Sequence, residues 1–131
     1  MKYKDFKGLK LSRLGMGNMR LPETDGKIDY DKAEAIIDLA MSGGINYYDT
    51  AYVYHHGTSE SFLGKVLKKY PRDSYYLATK FNVLASKDIE KVFNEQLERL
   101  ATDHIDFYLL HSVTETTAKE YMNEDYINFL K

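Results

Sequence analysis

Four side chains able to hold or move a proton recur at comparable places in this sequence: Asp49, Tyr54, Lys80 and His111. A free phenol has a pKa near ~10, too high for easy proton exchange at neutral pH. A nearby ammonium favours the phenolate and lowers that value. Lys80 is placed to act so on Tyr54, with Asp49 holding Lys80 charged and in position. His111 can hydrogen-bond a substrate oxygen and orient it. A tuned tyrosine beside an oriented carbonyl is a proton donor that needs a hydride source.

These residues are useful together only if the chain brings them together. Leu11 to Met19 reads as a first short strand. Asp31 to Met41 sets Ala33, Ile36, Ile37 and Ala40 at helical spacing, and Ser42-Gly43-Gly44 stops the helix. Ile45 to Tyr48 is a second strand and Tyr75 to Thr79 a third. Between them Ser59 is expected to cap a helix whose apolar stripe is Phe62, Leu63, Val66 and Leu67, ended by Pro71. Ser86 or Asp88 opens a helix with Ile89, Val92, Phe93, Leu97 and Leu100 inward. Ile105 to Leu110 (IDFYLL) is a fourth strand, and Asn123 to Lys131 begins another helix.

Such β-α alternation predicts parallel strands joined by right-handed helical crossovers. Two architectures fit: an open doubly wound sheet, or part of a closed (β/α)8 barrel. Both gather functional groups at the C-terminal ends of the strands. Asp49, Lys80 and His111 each end a strand, and Tyr54 lies in the loop leaving the second. One charged strand end usually reaches water; three in succession point to a site.

Composition sets the bounds. The 131 residues have the length of one domain, with 44% hydrophobic and 29% charged residues, the balance of a globular protein. A net charge of -2 argues against a nucleic-acid or acidic-membrane partner. No cysteine is present, which excludes disulfides and thiolate metal sites in this chain and is compatible with a cytoplasmic location. Gly15-Met16-Gly17 lacks the third glycine of a dinucleotide fingerprint, because position 20 is Arg20. His55-His56 are adjacent, so solvent or substrate-mouth positions are expected rather than a metal pair. Glu60 suits a helix N-terminus on dipole grounds alone. Gln96 and Asp106 carry no functional expectation.

The segments LGMGNMRLP, GINYYDTAYVYHHGTSESFLGKVL, LATK and TDHIDFYLLH, in that order from about Leu11 to His111, resemble the N-terminal part of aldo-keto reductases. The resemblance implies a (β/α)8 barrel that reduces aldehydes or ketones with NADPH or NADH, and a catalytic tetrad at Asp49, Tyr54, Lys80 and His111. The Tyr-His-x-Gly-x-Ser-Glu loop looks closest to a branch whose members often carry a C-terminal ferredoxin-like segment. A barrel of this type needs roughly 250 residues, so residues 1–131 are expected to form about four β-α units, a partial domain stopping inside the fourth helix. In the family the other half carries most contacts to the dinucleotide, so the main cofactor-binding residues are expected to be absent here. The isolated chain is therefore expected to be inactive, to take a small carbonyl substrate only with a complementary C-terminal half, or to self-associate as a non-catalytic half barrel.

Overall fold

The computed structural model describes residues 1–131. The chain opens with an antiparallel hairpin, β1 (Tyr3–Phe6) and β2 (Leu9–Ser12). Its two linking residues, Lys7 and Gly8, have φ of 52° and 83°, the left-handed turn that matches strand twist. The expected first strand from Leu11 to Met19 is therefore divided. Leu11 and Ser12 belong to the hairpin, and only β3 (Met16–Gly17) joins the parallel sheet. A second hairpin follows, β4 (Glu23–Thr24) and β5 (Lys27–Ile28), turned at Asp25-Gly26, both at positive φ.

The remaining elements alternate: α1 (Tyr30–Ser42), β6 (Tyr47–Asp49), α2 (Ser59–Leu67), β7 (Tyr76–Phe81), α3 (Ile89–Leu100), β8 (Phe107–Leu110), α4 (Ala118–Tyr121) and α5 (Glu124–Phe129). The sheet order is β3-β6-β7-β8, every neighbouring pair parallel. Strands β6, β7 and β8 lie within two residues of their expected bounds.

Helix starts follow local side-chain chemistry in three places. Asp29, Asp88 and Asn123 each accept a bond from a backbone N–H of the first turn of α1, α3 and α5, relieving donors that have no partner inside the helix. Ser59 does not cap α2 as expected. Thr58 holds the cap position without a side-chain bond, while the Ser59 hydroxyl donates to Asn18 O at 2.9 Å and lies 2.9 Å from Thr50 Oγ1.

The apolar stripes pack on the sheet's helix-covered face. Ala33 and Ile37 of α1, Phe62, Leu63, Val66 and Leu67 of α2, and Leu100 of α3 surround Tyr48 and Leu77 in one core. Ile36 departs from expectation and is exposed, since the stripe on α1 is narrower than its sequence pattern. A smaller core joins Phe81 and Val83 to Ile89, Val92, Tyr121 and Tyr126.

Period-two alternation aims the other residues of each strand at the opposite face. There Phe107 contacts Tyr47, Tyr76 and Phe6 with ring centroids 5.2, 6.3 and 6.1 Å apart. The β1–β2 hairpin thus lies against the N-terminal end of this face through Phe6, leaving the C-terminal end to polar groups. No helix is long and apolar enough to cross a membrane.

Candidate active site

Parallel pairing sets Gly17 beside Asp49 and Asp49 beside Ala78, and Lys80 beside Leu109. One residue separates Ala78 from Lys80, so Asp49 and Lys80 share a face at the C-terminal end of the sheet. Lys80 Nζ donates to Asp49 Oδ1 at 2.7 Å and to Thr50 O at 2.6 Å. It also lies 4.9 Å from the centroid of the Tyr54 ring. Tyr54 in turn meets His111 edge-on, with ring centroids 5.6 Å apart. The structure brings all four residues of the expected site into one cluster. The cation sits over the face of the phenol, and its hydrogen bonds go to Asp49 and Thr50.

Asp49 is held from behind. Asn18, fully buried, donates Nδ2 to Asp49 O at 2.8 Å and to Met16 O at 3.2 Å, and its backbone N–H donates to Asp49 O at 2.9 Å. Neither Asn18 nor Thr50 stood out in the sequence, because both act through atoms whose partners depend on strand pairing.

Tyr54 leads into an unusual backbone. His55 and His56 have φ/ψ of 50°/48° and 55°/35°, and Gly57 follows at φ 85°. Left-handed residues other than glycine are strained by about 1–3 kcal/mol each, and persist where surrounding contacts fix them. The His55 side chain, 5% exposed, supplies such contacts. Its Nε2 accepts from the Leu21 N–H at 3.0 Å, so a neutral ring carries its proton on Nδ1, which donates to Glu23 Oε1 at 2.7 Å. His55 therefore ties the loop after Tyr54 to the β4–β5 hairpin. Both histidines line the mouth, as expected, yet only His56 is exposed; His55 is a buried strut.

The mouth itself is a cavity of about 350 Å³ lined by Met19, Glu23, Val53, Tyr54, His55, His56 and His111. Burial pushes the His111 imidazole below its ordinary 6.5, the Lys80 ammonium adds to this, and Asp49 opposes it. Its Nδ1 is buried with no partner. A depressed histidine pKa means that the unfolded chain takes up a proton at a higher pH than the native one. The His111 contribution to native stability is accordingly full above pH 6.5 and is lost as pH falls from there through the lower folded value. Urea midpoints measured between pH 7.5 and 5.5 are expected to fall more in this chain than in His111→Asn; parallel curves would remove His111 from the cause.

Glu60 departs furthest from expectation. It lies in the first turn of α2, as expected, yet it is fully buried, and beyond the dipole it accepts bonds from Thr79, Gln96 and Arg99. Gln96, which carried no functional expectation, is also fully buried.

The sequence profile described as the Aldo/keto reductase family matches residues 13–131. The chain belongs to the aldo/keto reductase family. Among curated relatives, this aldo/keto reductase chain is 36% identical over 115 residues to L-galactose dehydrogenase of Arabidopsis thaliana, covering 81% of the chain and 36% of that protein. It is 31% identical over 126 residues to the NADH-specific methylglyoxal reductase of Escherichia coli K12, covering 79% of the chain and 39% of that protein. Among solved structures, the holo form of an aldo-keto reductase from Bacillus halodurans superposes with a TM-score of 0.77 at 32% identity, over 98% of this chain and 46% of that one. The chain thus spans between a third and a half of the relatives it matches, and its parallel β-α units are part of a (β/α) barrel.

Proposed function

We propose that this chain carries the proton-transfer half of an NAD(P)H-dependent oxidoreductase site that reduces aldehydes or ketones to alcohols. One observation carries the reading: Lys80 Nζ, paired with Asp49 at 2.7 Å, lies over the ring of Tyr54, which also contacts His111. In this arrangement Tyr54 gives its hydroxyl proton to the oxygen of a reduced carbonyl. The Lys80 ammonium, fixed by Asp49 and Thr50 O, offsets the negative charge left on the phenolate. His111, whose charged form burial disfavours, orients the substrate oxygen toward Tyr54.

The residues around the mouth do not fit a nicotinamide dinucleotide. They include no lysine or arginine to meet a diphosphate, and Glu23 adds a carboxylate. The hydride source therefore belongs with groups outside this mouth; one relative is named NADH-specific. A second reading, a non-catalytic half barrel that self-associates, draws support from the two outer strands β3 and β8 and from the aromatic face around Phe107.

Turnover separates the two. The 131-residue chain alone is expected to show no NADPH- or NADH-dependent reduction of a simple aldehyde, because proximity of hydride and carbonyl supplies much of the rate. Joined to a complementary C-terminal half, it is expected to turn over. Inactivity of a folded joined protein would favour the non-catalytic reading; turnover by the isolated chain would show that the cofactor cradle lies within these residues.

A further inference from the structure

We infer that Glu60 is a positioning residue that ties the strand end carrying Lys80 to the loop carrying Tyr54 and thereby sets how the two stack. A carboxylate with no exposed surface is costly to bury unless its oxygens accept strong bonds. An apolar residue would join α2 to α3 at lower cost, so helix packing alone does not call for this one.

The two oxygens of Glu60 serve different elements. Oε1 accepts from Thr79 Oγ1 at 2.6 Å and from Gln96 Nε2 at 2.7 Å. Thr79 precedes Lys80 in β7, and Gln96 Nε2 also donates to Lys80 O at 3.0 Å. The Gln96 amide is fixed in this sense because its Oε1 accepts from the Tyr108 hydroxyl at 2.8 Å. This branch holds the backbone of Lys80.

Oε2 accepts from Arg99 Nη1 at 3.3 Å. The same Nη1 donates to Tyr52 O at 3.2 Å, and the guanidinium lies 4.2 Å from the centre of the Tyr52 ring. The Tyr52 hydroxyl donates to Glu95 Oε2 at 2.7 Å, so α3 grips Tyr52 at both its backbone and its ring. Tyr52 is two residues before Tyr54, and this branch holds the loop. Between the ends of the branches lies the 4.9 Å contact of Lys80 Nζ with the Tyr54 ring.

The inference rests on the assignment of Lys80 and Tyr54 to the site, and its test reads their geometry rather than turnover. A lysine stacked on an aromatic face has its ε-methylene protons shifted upfield by the ring current. In the isotope-labelled 131-residue chain, Lys80 is expected to show that shift, and Tyr54→Leu to abolish it. Absence of the shift in the unmodified chain would overturn both the functional reading and the inference.

With the shift present, Glu60→Gln preserves volume and removes the charge, and is expected to return the Lys80 signals most of the way toward those of exposed lysines. Arg99→Lys cuts the loop branch alone at a part-exposed residue, and decides the matter where Glu60→Gln fails to fold. It is expected to reduce the shift while the β7 and β8 amide signals stay in place. Lys80 signals unchanged in folded Arg99→Lys would make the network a core feature with no positioning role, and would end the proposal.

Discussion

Tyr54→Phe, made in the chain joined to its complementary half, is expected to lower kcat for aldehyde reduction by roughly 10²–10⁴-fold, the range contributed by one positioned proton donor. The substitution removes a hydroxyl and keeps a ring. The Lys80 contact over the ring face and the edge-on contact with His111 both persist, so the loss isolates the proton. KM should change little by comparison, because an interaction made only in the transition state affects kcat and kcat/KM equally. Steady-state kinetics with a single aldehyde suffice as the measurement. Retention of full activity would take the donor role from Tyr54. Lys80→Met in the same protein is also expected to be severe, since the phenolate would form without its compensating cation.

Gly64→Ala should have the largest effect on folding. A Cβ built on Gly64 would stand 2.4 Å from Arg99 O, 2.6 Å from Leu100 C and 2.7 Å from Leu100 Cα. These are backbone atoms at the end of α3 and cannot rotate aside, so α2 and α3 must separate. Overpacking of this kind costs about 1–3 kcal/mol and occasionally more, a large part of the margin of a small domain. The urea midpoint is expected to fall accordingly. The separated helices also carry Glu60 on one side and Gln96 and Arg99 on the other, so the bonds among them should lengthen. A Gly64→Ala chain with an unchanged midpoint would contradict the close approach of the two helices.

Much of the architecture was legible because it is written in local periodicity. The stripe of Phe62, Leu63, Val66 and Leu67 can only be the buried side of a helix, and those four are buried. The β-α alternation then dictates parallel pairing, and parallel pairing places strand ends on one side. That chain of consequences put Asp49, Lys80 and His111 together without knowledge of any contact.

What remained hidden depends on partners distant in sequence. Leu11 and Ser12 look like the start of a continuous strand until Tyr3–Phe6 pairs with Leu9–Ser12 and claims them. Asp25-Gly26 was a readable hairpin signal, but the strands beside it are only two residues each, too short to show alternation. Ser59 has the chemistry of a cap, and the approach of Asn18 and Thr50 gives its hydroxyl another use.

Fold class and the identity of the four clustered groups follow from the order of residues alone, since strand-end position and residue type are properties of short segments. Long-range packing alone sets Lys80 over the Tyr54 ring, makes the His55 side chain a buried strut, and carries Glu60 and Gln96 into the interior. A polar side chain is buried only where its hydrogen bonds are met, and the groups that meet them come from strands and helices that the sequence keeps far apart.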